Sequence, residues 1–118
     1  MNQLRALLMA SLMWVAIPCQ AGEFQGVRLF NDGASLEITS VHGKAVPAPK
    51  LGTQDGFDQP ALSPDRRYVG WLAMYPGRGA SYSQPVELVV MDEARRLHRF
   101  FGEWGMVYGW CFAPGGRA

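Results

Sequence analysis

The stretch from Ser63 to Met74 limits the possible folds of this chain most, because it joins a tight turn to a strand-like run without a polar face. Ser63-Pro64-Asp65 fits a type I turn, in which proline presets φ while Ser and Asp side chains bond nearby backbone amides. In the run that follows, both alternating sets of side chains lack charge and are mostly apolar or aromatic. We therefore predict a strand that is covered on both faces. A short buried helix is the alternative, and the aromatic and β-branched content argues against it.

Several other runs have the length and composition of strands. A tight hairpin is predicted where Asn31-Asp32-Gly33 separates 26–30 from 35–41, because these three residues tolerate the positive φ that such a turn needs. The further predicted strands are 57–62, which Pro60 keeps near an edge, and 85–91, 95–101 and 107–112. Two long loops, 42–56 and 75–84, interrupt them. No capped stripe with a 3.6-residue period follows Phe24, so we predict an all-β antiparallel meander with almost no helix.

The central turn also carries a resemblance. The sequence from Ala61 to Trp71, with Ser63-Pro64-Asp65-Arg66, resembles the SPDG turn of TolB-type and WD-like β-propeller repeats. A weaker copy, Ala113-Pro114-Gly115-Gly116-Arg117, begins 50 residues after the first when the two prolines are compared, which is within reach of blade periods of about 40–50 residues. Arg66 stands where this motif usually has Gly. The resemblance implies one blade and the start of a second. An isolated blade would leave its sheet uncovered, so we expect a fragment of a longer propeller-like protein, or a protein partner or self-association that covers the open sheet.

The N-terminus has the features of a signal peptide. One basic residue, Arg5, precedes an apolar run from Ala6 to Ile17, and small residues near Ala21 suit cleavage after that residue. The run is shorter than the roughly 20 residues that cross a bilayer, so no transmembrane span is predicted. Acylation of Cys19 as a lipoprotein is the alternative, and Pro18 directly before it fits that processing poorly. We expect a helical signal peptide at 1–21 and a small domain at 22–118 that is periplasmic or secreted.

Charge and cysteine content exclude several classes. The chain has 11 basic and 10 acidic residues. Because Arg5 lies in the signal peptide, the remaining domain is neutral and shows no basic run that would favour nucleic acid or an anionic membrane. Cys111 would be the cysteine left after cleavage, which excludes an internal disulfide. It lies in the apolar run 107–112, so we predict a buried and unreactive thiol.

Candidate catalytic and metal-binding groups are sparse. His42 and His98 lack zinc spacing, and Asp55-Gly56-Phe57-Asp58 has too few oxygen ligands for a calcium loop, so a solvated turn is the simpler interpretation. Ser81 and Ser83 lack the GxSxG elbow of a nucleophile, and the glycines around Arg78 lack the phosphate-binding pattern. We predict no catalytic residues, no metal site and no cofactor.

Aromatic residues form the one cluster that suggests recognition. Trp71 and Trp110 fall inside predicted strands and are expected in the core. Three others fall in loops or turns, and an arginine lies among them; rings with a polar tip are favoured at binding surfaces. The predicted binding residues are Tyr75, Arg78, Tyr82 and Trp104.

Three functions stay open at this point. The first is a non-enzymatic exported β-sheet module of the bacterial envelope that binds a protein or ligand through the loop 75–84. The second is the N-terminal fragment of a propeller-bearing enzyme, such as a hydrolase, whose catalytic residues lie beyond Ala118. The third is a purely structural envelope protein. Propeller architecture serves scaffolds and enzymes alike, so it does not choose between them.

Overall fold

The computed structural model describes residues 22–77, 82–102 and 105–113. These residues form two antiparallel sheets, so the predicted all-β fold class is confirmed, and they contain no helix. It follows that no helix in these ranges could cross a bilayer. The expected signal peptide at 1–21 and most of the second turn motif lie outside the described residues.

The first sheet has three strands in the order β1-β2-β3. The predicted hairpin is confirmed as β1 (Phe24–Phe30) and β2 (Ser35–Ser40), whose ends pair as Phe30 with Ser35. Asn31, Asp32 and Gly33 between them have φ of 55°, 52° and 84°, which is the left-handed backbone that the turn chemistry predicted. Leu36 and Ile38 are buried on one side of β2.

A third strand corrects the prediction of an unbroken loop at 42–56. β3 (Ala45–Pro47) pairs antiparallel with β2, and its central residue, Val46, is buried opposite Ile38. A three-residue strand between prolines and glycines gives little sequence signal, because its pairing depends on a hydrophobic face offered by another strand.

The second sheet is a meander of four strands in the order β4-β5-β6-β7. Its strands are β4 (Gly56–Leu62), β5 (Val69–Pro76), β6 (Ser83–Met91) and β7 (Leu97–Phe101). All four lie where strands were predicted, with shifts of one or two residues at most ends. β4 is at an edge, as Pro60 suggested, and its pairing with β5 is irregular between Asp58 and Ala61.

The central turn before β5 is closed by a network of local hydrogen bonds. The Ser63 hydroxyl donates to Asp65 Oδ1 at 2.7 Å and accepts from the Tyr68 amide at 3.0 Å, while the Arg67 amide donates to Asp65 Oδ1 at 3.1 Å. Arg66 has a φ of 61°, which explains why the related motif usually has glycine at this position.

This turn also holds the two sheets together. The Gly22 amide donates to the Asp65 carbonyl at 2.6 Å, and the Phe24 amide donates to the Arg66 carbonyl at 3.0 Å. A Cβ at Gly22 would lie 2.5 Å from the Arg66 carbonyl oxygen, so only glycine allows this approach. The beginning of β1 is therefore anchored on the turn that leads into β5.

β5 is covered on both faces, as its pattern predicted. On one face, Val69, Trp71 and Ala73 are fully buried in a core shared with the three-stranded sheet. On the other face, Leu72 packs with Leu88 and Val90 of β6 beneath a C-terminal segment, 106–113. The expectation of an uncovered sheet is therefore wrong around β5. The three-stranded sheet covers one face there, and the C-terminal segment covers the other.

The C-terminal segment differs from its prediction. Residues 107–112 form no strand and instead cross the sheet from β6 to β4. The Val107 amide donates to the Pro85 carbonyl at 2.8 Å, and Trp110 Nε1 donates to the Gln59 carbonyl at 2.9 Å. Trp110 is half-buried, and its ring lies over Gly70 of β5 instead of inside the core. Cys111 is exposed, so the prediction of a buried thiol is wrong.

Candidate functional site

A buried carboxylate lies in the middle of β6, within the four-stranded sheet. Glu87 of β6 is fully buried and faces the small side chain of Ala73, which leaves room for two partners. The Tyr75 hydroxyl donates to Glu87 Oε1 at 2.5 Å, and Arg99 donates through Nε to Oε2 at 2.7 Å and through Nη2 to Oε1 at 3.0 Å. A buried charge is tolerated only with such pairing.

The protonation of this trio follows from its contacts. Burial raises the pKa of the Tyr75 phenol, and the hydrogen bond to Glu87 and its negative charge add to that rise. The hydrogen bond to Glu87 raises the pKa of the Arg99 guanidinium. Tyr75 thus stays a neutral donor and Arg99 a cation. Both oxygens of the Glu87 carboxylate accept hydrogen bonds from these two residues, so the arrangement is structural.

The predicted binding residue Tyr75 accordingly has its hydroxyl bonded within the fold. It belongs to β5, not to the following loop, and is only partly exposed. Its role in binding stays a prediction. The predicted residues Arg78 and Trp104 lie outside the described residues.

Tyr82 is the predicted residue that the structure presents to solvent. Its exposed fraction is 68%, and it directly precedes β6. Pro76 pairs with Ser83, so Tyr82 lies at the loop end of the β5–β6 hairpin, the same end as Tyr75.

A cleft of about 410 Å³ opens beside this hairpin end. The turn between β1 and β2 forms one wall of the cleft, and the start of β4 forms the other. The Phe57 amide donates to the Gly33 carbonyl at 2.8 Å and so joins the two walls. The Asp55 amide donates to the Met74 carbonyl of β5 at 2.9 Å. A Cβ at Gly56 would lie 3.0 Å from the Gly33 carbonyl oxygen, so a larger residue there would press the walls apart. The lining residues are Leu29, Asp32, Gly33, Ala34, Asp55, Gly56, Phe57, Asp58, Met74 and Ser83.

The cleft is acidic with an apolar wall. Asp32, Asp55 and Asp58 contribute carboxylates, and the described lining residues include no Lys, Arg or His. The Ser83 hydroxyl donates to Asp55 Oδ2 at 2.6 Å, and this bond joins the loop end of the β5–β6 hairpin to the segment before β4. Such a surface attracts a cationic group more than an anionic one.

The described residues of the cleft do not supply a complete set of ligands for a metal ion or a complete set of groups for nucleophilic catalysis. Within the described ranges, no three His, Cys, Asp or Glu side chains are arranged to hold a metal ion. Ser83 has a carboxylate partner in Asp55 and no imidazole among the described residues of the cleft, so the relay that activates a serine is not assembled there.

The sequence predicts a solvated turn at Asp55 and Asp58 and no role for Asp32. Asp55 and Asp58 lie close in sequence, but Asp32 joins them only because the β1–β2 turn bonds to β4. The local sequence held no signal for this approach. Comparisons with protein-family models, with curated proteins and with solved structures found no match to this chain.

Proposed function

We propose that this protein is a non-enzymatic, exported β-sheet module that binds a protein partner of the bacterial envelope through the acidic cleft and Tyr82. The observation that carries the proposal is the position of a largely exposed tyrosine next to a cleft lined by three carboxylates. A tyrosine supplies apolar area and a polar tip, and the carboxylates favour a Lys or Arg side chain of the partner.

Two further features support the class of module. The meander β4-β5-β6-β7 has the strand number and order of one propeller blade, and the SPDG-like turn stands before its second strand. The apolar run before Ala21, with Arg5 in front of it, supports export through a cleaved signal peptide. In this proposal the domain 22–118 acts in the periplasm or outside the cell.

The test is capture of partners by the protein recovered from the envelope fraction of its host. Tyr82→Ala and Asp58→Asn should each reduce capture about tenfold, because each removes one element of the recognition surface. Capture should also fall as salt is raised, since the carboxylates act through partly exposed charge. Tyr108→Ala is the matched control, because Tyr108 is 72% exposed and lies outside the cleft.

The outcomes are distinct. Loss of capture in the two cleft variants with normal capture in the control supports the proposal. Equal capture by all variants would contradict it and would favour a purely structural envelope role. Absence of the protein from both the envelope fraction and the medium would contradict the export.

A further inference from the structure

The two edges of the four-stranded sheet differ in how they are protected. At the β4 edge, Pro60 lacks an amide hydrogen, the pairing is irregular between Asp58 and Ala61, and Gln59 has a φ of 46°. Trp110 also bonds the Gln59 carbonyl across this strand. Bulges, proline and a covering segment are devices that prevent another strand from pairing with an edge.

The β7 edge has none of these devices among the described residues. β7 pairs regularly with β6 along its whole length, from Leu97 with Met91 to Phe101 with Glu87, and the described residues offer it no second neighbour. As far as the described residues extend, its outer backbone groups are therefore available to an added strand.

Charged and polar side chains often guard such an edge, but Arg99 and His98 of β7 are drawn back over their own sheet. Arg99 is held by two hydrogen bonds to Glu87 of β6. His98 Nε2 lies 3.1 Å from Asp92 Oδ2 in the turn after β6. Neither side chain extends past the edge in this arrangement.

Aromatic side chains are exposed at the same place. Phe100, opposite Leu88, is 50% exposed, and Phe101, opposite Glu87, is 64% exposed on the other face. Arg99 already lies over the Phe101 ring, 5.5 Å from its centroid. Two exposed rings on a short unpaired edge strand leave apolar area that a neighbouring strand would bury.

We propose that a second copy of this chain pairs its β7 antiparallel with this β7, about a two-fold axis at Phe100. In this register, Phe100 faces Phe100 of the second copy, and Arg99 of each copy faces Phe101 of the other. The first pair is aromatic–aromatic, and the second places the alkyl stem of Arg99, whose guanidinium stays with Glu87, beside an aromatic ring. Such cross-strand contacts are favourable.

Ring pairing selects this register over the one whose axis lies at Arg99. That axis would pair Phe100 with His98 and place the two Arg99 residues directly opposite each other, which is unfavourable across a strand pair. An axis at Phe100 avoids that contact and preserves the faces of both sheets, since directly opposite residues point to the same side. The result is a continuous sheet of eight strands in which the β7 edges are no longer open.

The experiment measures association of the purified protein by sedimentation as a function of concentration, with reductant present because Cys111 is exposed. The variants are Phe100→Glu and Phe100→Lys, alone and mixed in equal amounts. Each alone should raise the dimer dissociation constant at least about tenfold, through loss of the ring pair and like-charge repulsion across the axis. The mixture should dimerise again, because the two new charges attract.

Tyr108→Glu is the control, since it adds a charge at an exposed aromatic away from β7 and should leave association unchanged. Circular dichroism of each variant checks that the sheet is retained. A parent protein that is monomeric at every concentration would overturn the proposal, as would a dimer that is indifferent to charge at position 100. Failure of the mixture to dimerise would overturn the proposed register. None of these outcomes depends on the acidic cleft.

Discussion

At the scale of single residues, Glu87 shows how a local pattern and a tertiary environment diverge. Its neighbours in sequence predict a strand, and a glutamate in a strand is ordinarily expected on the wet side. The structure buries it fully and satisfies it with Tyr75 and Arg99. The same contacts account for the position of Tyr75, which sequence reasoning had assigned to a binding surface.

Replacement of Tyr75 by Phe tests this structural role. The ring is retained but the bond to a buried carboxylate is lost, so the free energy of unfolding should fall by about 2 kcal/mol. Chemical denaturation measures it, with Tyr108→Phe at an exposed position as the control. An unchanged stability together with reduced partner capture would instead assign Tyr75 to the binding surface.

At the scale of elements, the C-terminal segment explains why β5 contains a buried glycine near its start. The Trp110 ring lies directly on Gly70, where an added Cβ would meet Trp110 Cη2 at 2.5 Å. Trp110 also packs edge-on against Phe112, with ring centroids 4.9 Å apart. The segment therefore covers the second face of the sheet through side chains, although it forms no strand there.

Gly70→Ala should displace Trp110 and lower the free energy of unfolding by about 1–3 kcal/mol, the usual cost of overpacking. The cost should shrink in a Trp110→Leu background, because the obstructing ring is gone; a double-mutant cycle measures the coupling. Gly26→Ala is the matched control, since a Cβ there meets nothing within 4 Å. Equal costs in both backgrounds would refute the direct contact.

At the scale of the whole molecule, two acidic turns tie the sheets and strands together. Asp65 closes the turn on which β1 is anchored, and the hydrogen bond from Ser63 is the main cause that lowers its pKa. Asp92 closes the β6–β7 turn by accepting from the amides of Ala94 and Arg96, and its hydrogen bond with His98 is the main cause of its lowered pKa.

A lowered pKa in the folded state sets the sign of the pH dependence. Each carboxylate contributes stability above its unfolded pKa, about 4, and that contribution is lost as pH falls through the still lower folded value. The parent protein should therefore lose stability between about pH 5 and pH 2 more steeply than a variant with both Asp65→Asn and Asp92→Asn. Denaturation midpoints across that range measure the slopes. Asp32→Asn, in the exposed β1–β2 turn, is the control, and equal slopes in parent and double variant would contradict the assignment.

The strands and turns with local signals can be predicted from the amino-acid sequence alone. The β1–β2 hairpin, the Ser63–Arg67 turn and the two-sided burial of β5 all follow from turn chemistry and a two-residue period. Period and composition report that a run is extended and which side chains are apolar, so these elements could be predicted without neighbours.

Which extended runs gain a strand partner, and which loops meet, depends on the packing of the whole chain. β3 became a strand because β2 offers it a partner, whereas residues 107–112 lie across the sheet and bond it through Val107 and Trp110. The cleft exists because the β1–β2 turn reaches β4 and adds Asp32 to two aspartates distant in sequence. Such contacts depend on long-range packing, and no local pattern in the chain encodes which distant segment will supply them.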